Sequence, residues 1–463
     1  MSALTRIARR SGLLALYMGG ALSLHASAAA AQAPASPRFR LITLDPGHFH
    51  ASLVQKSANP DIDDTVHVFA PLSDDVKQHL LRIDGFNTRA DQPTHWVEQV
   101  DTGSDYLERM LASKPGNIVV IAGNNARKTE YIVRSIDAGL NVLADKPMVR
   151  TPADLVRLGK AFDVAKAKHL MLYDIMTERS EVTTQLQREL AMRLEIFGTL
   201  VKGTREHPAL SMKSVHYFSK VVAGKPLLRP QWFFDVRQEG NGIVDVTTHL
   251  VDLVQWEAFP EQPLAMSDVE MLHARRWSTK LSLAQFAQMT GATDFPAYLR
   301  RDVKDGALEV DSNGEMDYRI RGVHAHVSVE WRFEAPKGGD THNSVMRGTR
   351  ATLTIKQGAE QGYKPVLYIE PVTSDSADER SRIPTAIDAL RSRYPGISTH
   401  RDGSAWVVDI PAALDVGHEA HFAQVTDRYL SYLRTGTMPA WEVPNMLVKY
   451  GTIMEAYRMS GGR

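Results

Sequence analysis

Residues 117–147, NIVVIAGNNARKTEYIVRSIDAGLNVLADKP, decide the fold. Asn117-Ile-Val-Val-Ile121 is a mostly apolar run, the pattern of a strand buried in a parallel sheet. A helix from Lys128 to Ala138 follows, and Gly139 suits a left-handed C-cap. The next strand, Asn141 to Ala144, runs into Asp145-Lys146-Pro147. Working outward, the same rhythm repeats. Phe39 to Leu44 is a strand, Asp45-Pro46-Gly47-His48 turns into a helix through Ala51 and Val54, and Val66 to Phe69 is the second strand. Asp105 to Leu111 has helical character. Pro152 to Val164 reads as helix and His169 to Tyr173 as strand. Strands alternating with helices predict a doubly wound parallel sheet, an α/β domain over residues 36–176.

The rhythm changes after Thr177. Helix Val182 to Glu195 is followed by strand candidates at Val201 to Gly203, Val215 to Lys220, Ala351 to Ile355 and Pro365 to Ile369. In Val323 to Phe333 the residues Val323, Ala325, Val327 and Val329 share one face. This predicts an α+β second domain over residues 177–463, built on an open, largely antiparallel sheet. Thr373 to Arg382 is polar and reads as a surface loop. Helical patterns close the chain from His418 to Arg434 and from Pro444 to Met459.

The chain opens with Arg6, Arg9 and Arg10, an apolar run from Leu13 to Leu24, and small residues from Ala26 to Ala33. Charge, apolar core and small residues in that order predict a signal peptide over residues 1–33, and so an exported, periplasmic protein with no membrane span once it is removed. Arg9-Arg10 is a partial match to a twin-arginine signal, which would carry a folded protein with its cofactor. The 54 basic and 54 acidic residues give a formal charge of zero, which offers no support for a nucleic-acid partner. With no cysteine in the chain, disulfides, thiolate metal sites and cysteine nucleophiles are excluded.

Three stretches carry chemistry. A dinucleotide fold seats its pyrophosphate at the turn after the first strand, where glycines allow close backbone approach. Of Gly-x-Gly-x-x-Gly only Gly47 survives in Asp45-Pro46-Gly47-His48-Phe49-His50. The turn can equally be an ordinary strand-to-helix connection, with His48 and His50 facing ligand or merely packing. Past the second strand, Ser73, Asp74 and Asp75 do not cleanly select NAD or NADP. Lys146 ends a strand where open parallel sheets bind ligands, and it can hold a substrate hydroxyl; it can also be a loop lysine. In Gly240-Asn-Gly242-Ile-Val-Asp245-Val-Thr-Thr-His249-Leu-Val-Asp252, Asp245 and His249 are four apart on one helical face. A carboxylate there would raise the basicity of the imidazole and suit it to take an alcohol proton, although a structural hydrogen bond has the same spacing. No metal motif stands out: His324 with His326, and His418 with His421, share faces but lack further ligands.

Together these pieces resemble the Gfo/Idh/MocA oxidoreductases. Asn117 to Asn125, Ala138-Gly139 and Val142 to Pro147 follow that family's fourth and fifth strands, with Asp145-Lys146-Pro147 similar to its Glu-Lys-Pro motif. Gly240 to Asp252 is similar to its glycine-rich segment and Asp-x-x-x-His-x-x-Asp. The resemblance implies a Rossmann domain and an α/β domain with an open sheet. It implies Lys146, Asp245 and His249 at the reacting carbon, with His249 as acid/base, Asp245 as its partner and Lys146 as orienting cation. It implies NAD or NADP, NAD being favoured, held by Gly47, His48, Phe49, His50, Asn124, Asn125, Asp145 and Lys146. Tyr173, Glu178, Arg179, Arg229 and Trp232, with His249, should approach the substrate.

Leu44 to Ala51 and the long C-terminal region resemble a narrower, exported subgroup, similar to enzymes that oxidise glycosides at the sugar C3 hydroxyl. The resemblance thus implies a small-molecule sugar or glycoside substrate; export, where free cofactor is scarce, predicts a tightly bound, internally recycled cofactor, and the open sheet of the second domain predicts a homo-oligomer, dimer or tetramer. Two alternatives stay open: a glycosidase that oxidises C3 transiently, and a sugar-binding relative without catalysis.

Overall fold

The structure, a computed structural model, describes residues 39–222, 224–335, 339–373 and 377–462. Residues 1–33, the expected signal peptide, lie outside them. Six parallel strands, β1 (Leu41–Leu44), β2 (Thr65–Ala70), β3 (Val97–Thr102), β4 (Ile118–Ile121), β5 (Asn141–Asp145) and β6 (Leu172–Ile175), form one sheet. Their order is β3-β2-β1-β4-β5-β6, so the connection reverses between β1 and β4. In open α/β sheets the crevice at such a reversal receives ligands. Every residue of β1 and β4 is buried, as their unbroken apolar runs require of strands covered on both faces.

Helices cover that sheet: α1 (His50–Leu53), α2 (Asp74–Thr88), α3 (Tyr106–Ser113), α4 (Lys128–Asp137) and α5 (Pro152–Ala167). α5 begins in a capping box, where the Thr151 side chain accepts from Asp154 and Pro152 sits at the first position. α1 is a single turn, with Phe49 at its N-cap, Val54 at its C-cap and all four of its residues buried.

After α6 (Val182–Ala191) comes β7 (Leu210–Ser219), then a small hairpin of β8 (Val221–Val222) and β9 (Lys225–Pro226), and the helix α7 (Thr247–Ala258). β10 (Val269–Ser282), α8 (Leu283–Thr290), β11 (Val303–Lys304), β12 (Ala307–Ile320), β13 (Val323–Glu334), β14 (Thr341–Arg347), β15 (Ala351–Lys356) and β16 (Val366–Pro371) follow. The chain ends with α9 (Ala377–Asp388), β17 (Ser398–Asp402), β18 (Ala405–Asp409), α10 (His418–Thr435) and α11 (Glu442–Met459). The second sheet has ten strands in the order β10-β12-β13-β7-β14-β15-β16-β18-β17, with β11 on β12. It is antiparallel except where β7 pairs parallel with β13. The buried face of β13 is the alternating one, Val323, Ala325, Val327 and Val329, and α7 packs against it and against β7.

Two expectations are corrected. The polar stretch after Val372 contains α9 rather than a loop. Val201 to Gly203 is no strand; only single bridges, Leu200 to Gly348 and Gly203 to Pro208, form there. Among the described residues no helix is long and apolar enough to cross a membrane.

Candidate active site

The carboxyl ends of β1, β4 and β5 lie side by side. Lys146 leaves the end of β5 and points at Asp245, and the two are ion-paired and almost wholly buried. Gly242 sets the position of that aspartate. It passes so close to β12 that an added Cβ would lie 2.2 Å from the Asn313 carbonyl carbon. The turn is closed by Asn241, whose side chain accepts from the Ile243 N–H at 3.0 Å and whose carbonyl accepts from that of Asp245 at 3.0 Å. Asp245 thus stands just before α7, with His249 in the first turn of the helix.

Asp245 and His249 do lie close in sequence and line the same cavity, but they are not partners. The carboxylate goes to Lys146, because a charge-assisted bond to an ammonium outcompetes one to a neutral imidazole. His249 Nδ1 is buried with no partner, and burial, followed by the charge of Lys146, holds the His249 pKa well below its ordinary value. The expected rise in basicity is therefore reversed. Burial works against the Lys146 ammonium, yet Asp245, Asp145 and Glu239 outweigh it and raise its pKa.

Beside this pair, His50 Nδ1 lies 2.9 Å and His48 Nδ1 3.5 Å from Asp145 Oδ2. Those three groups lie within 4.8 Å of one another, a set that can hold a metal ion. The buried Lys128 ammonium, bonded to the carbonyls of Asp145 and Lys146, and Lys146 itself oppose a cation there. Orientation of His50 by Asp145 is the simpler use of the set.

Asp45 turns away from the first turn, with a positive φ of 49°, and its carboxylate accepts from Tyr131 Oη at 2.7 Å. Over Gly47 lies Trp232: an added Cβ on Gly47 would lie 2.9 Å from its ring, and its indole N–H donates to Asp75 at 2.7 Å. Asn124 donates to Gln238 at 2.7 Å, and Asn125 to the Glu239 carbonyl at 2.7 Å. Residues 232–239 thus form a strap across the carboxyl edge of the first sheet. A nicotinamide fits the inner end of this crevice, where His48 Nδ1, Asn125 Oδ1 and Asp145 Oδ1 are buried polar atoms without partners. The missing side chain of Gly47 lets the Trp232 ring and the Asp75 carboxylate approach the backbone of this turn.

The Lys146–Asp245 pair and His249 open onto a cavity of about 590 Å³. Of the residues expected to approach the substrate, Glu178, Arg229 and His249 line it. Three others do not. Tyr173 is buried and donates to Glu442 at 3.2 Å. Arg179 is held between Asp252 and Glu442 in a buried charge network. Trp232 faces Gly47 instead. All three lie near the site in sequence, but each has a partner that fixes it elsewhere. The cavity also gains residues that the sequence reading left unplaced or passed over. His216 Nδ1 lies 2.9 Å from Asp340, which also binds Lys220, and His216 Nε2 pairs with Ser214 Oγ at 2.7 Å. Burial, then Glu181 and Asp340, push Glu178 up to about 7, while its side chain keeps 29 % exposure toward the cavity. Alternation along β7 marks His216, but nothing local marks Asp340, whose role depends on β14 pairing with β7.

Comparison with known proteins agrees with this fold. Residues 47–173 match the family described as "Oxidoreductase family, NAD-binding Rossmann fold", and residues 186–461 match the "Putative oxidoreductase C terminal domain". The crystal structure of an oxidoreductase, described as putative, from Parabacteroides merdae is 51% identical, with a TM-score of 0.89 over 92% of this chain and 98% of that one. A levoglucosan dehydrogenase bound to NADH and levoglucosan has a TM-score of 0.56 at 14% identity, over 91% of this chain and 96% of that one. A 3-ketoreductase of Actinomadura kijaniata bound to NADP has 0.54 at 15%, over 92% and 98%. The last two show the fold alone. No curated protein matches the chain.

Proposed function

The chain belongs to the Gfo/Idh/MocA oxidoreductases, with an NAD(P)-binding Rossmann domain, and on that premise we propose that it oxidises a secondary hydroxyl, that at C3, of a sugar or glycoside. The observation that carries this reading is the buried Lys146–Asp245 pair beside a neutral His249, all three opening onto a cavity of sugar size. When bound, the nicotinamide supplies the hydride acceptor. His249, kept unprotonated by burial, offers a lone pair to the hydroxyl proton. Lys146, kept protonated, donates to the oxygen as negative charge develops on it. Asp245 fixes the lysine in place and balances its charge.

NAD is the favoured cofactor. Asp75 stands in the first turn of α2, where a 2′-phosphate would meet its carboxylate and that of Asp74. The strap over Gly47 supports a tightly held cofactor, suited to an exported enzyme that recycles it. A second reading, transient oxidation followed by elimination of the aglycone, is favoured by one observation: Glu178 and the His216–Asp340 pair add an acid and a base to the same cavity. A dimer or tetramer remains our expectation for assembly.

Incubation of the protein with NAD+ and simple glycosides, followed by mass spectrometry, tests the reading. The expected product is lighter by two hydrogens and is lost in Lys146→Ala. Aglycone released without net oxidation would favour the second reading, and no product from any sugar would remove both.

A further inference from the structure

Among the cations that line the cavity, Lys364 is exposed to solvent, and the less exposed ones differ in one respect. Lys146 pairs with Asp245, Lys220 with Asp340 and Lys56 with Glu419. Arg229 is only 5% exposed and has no carboxylate partner among the described residues. Its Nε donates to the Phe218 carbonyl at 2.6 Å and its Nη2 to that of Tyr217 at 2.9 Å. The guanidinium carbon lies 4.3 Å from the Phe233 ring centre and 5.3 Å from that of Trp331. Two carbonyls and two ring faces hold the group in one orientation. They leave donors of Nη1 and Nη2 without a protein acceptor, and Arg229 lines the cavity. Burial lowers its pKa only to about 10, so it stays charged near neutrality.

A buried cation without a counter-charge is unfavourable, and an anion arriving with its own acceptor oxygens relieves the penalty. A guanidinium already held by its Nε side presents a fork that matches a carboxylate better than it matches a lone hydroxyl. Nearby acids do not bond to it: Asp340 is taken by His216 and Lys220, Asp245 by Lys146, and the Glu239 carboxylate accepts from Asn125. The cofactor's phosphates are the less fitting source, since Gly47, Asp75 and Asn124 do not line this cavity.

We propose that Arg229 anchors a carboxylate of the substrate, so that the sugar oxidised is a hexuronic acid or a glycoside of one. This rests on the dehydrogenase reading for its chemistry, but binding tests it separately. Calorimetry with methyl glucuronide and methyl glucoside, on the protein as purified, should show the uronide bound more tightly by roughly 10–100-fold, the range of one charged hydrogen-bonded contact. Arg229→Met should collapse that discrimination, and Arg229→Gln, which can still donate to the Phe218 carbonyl, should collapse it too while keeping the melting temperature. Equal binding of the two sugars by the wild type would overturn the proposal. So would a loss of NAD+ affinity in the Arg229 variants with sugar discrimination intact, which would move the anion site to the cofactor. Discrimination in binding without any oxidised product would leave the carboxylate anchor standing and sink the dehydrogenase reading instead.

Discussion

At the scale of single residues, the centre of the site is a contest for Asp245. Lys146 wins it from His249, and both groups are set to their tasks by that outcome: the lysine stays charged and the imidazole stays neutral. Asp245→Asn removes the leading influence that raises the Lys146 pKa, so burial then lowers it. Two consequences follow from that sign. Leaving a buried ammonium without its partner should cost about 3–5 kcal/mol in urea unfolding at neutral pH. The alkaline limb of the kcat/KM profile, where Lys146 loses its proton, should move to lower pH. A variant with unchanged stability and an unchanged alkaline limb would mean that Asp245 does not hold Lys146. The spacing of Asp245 and His249 was legible in the sequence. Their partnership was not, because helical spacing brings two residues to one face without saying which third residue reaches in from another element.

At the scale of elements, α7 joins the reacting edge to the core, and it carries an acid that does no pairing. Glu257 is 1% exposed, both its carboxylate oxygens lack hydrogen-bond partners, and burial raises its pKa well above the ordinary value. The folded chain therefore keeps a proton there that the unfolded chain releases above about pH 4.5, and stability falls as pH rises from that point. Glu257→Gln removes this loss, so its melting temperature should exceed that of the wild type, and by more at pH 8 than at pH 5. An advantage independent of pH would contradict the protonated state. The elements themselves were legible in proportion to how much apolar surface they bury. β4 and β5 were evident from unbroken runs. α2 was not read, because it buries only Val76, His79, Ile83 and Phe86 among polar neighbours. The same sparseness hid α9 in a polar stretch. The parallel insertion of β7 beside β13 leaves no local mark at all, and with it went the placement of His216 and Asp340.

At the scale of the molecule, the described residues pack as one compact unit. Buried charges cross between its sheets: Lys449 of α11 bonds Asp174 of β6 at 2.6 Å and Asp252 of α7 at 2.9 Å, while Arg179 binds Asp252 and Glu442. Asp252→Ala leaves Arg179 with Glu442 alone and Lys449 with Asp174 alone, and should lower stability by about 3 kcal/mol while leaving a single unfolding transition. Two separate transitions in the wild type would show that the network does not couple the sheets. This same docking places the reversal point of the first sheet against the cavity of the second, which is what the proposed oxidation requires. The most direct test is transfer of isotope. With a glycoside deuterated only at C3 and stoichiometric NAD+, the account predicts deuterium on the reduced nicotinamide, found by mass spectrometry, and none with His249→Ala. Reduced cofactor without deuterium would place the oxidation at another carbon, and no reduced cofactor with any sugar would contradict the account.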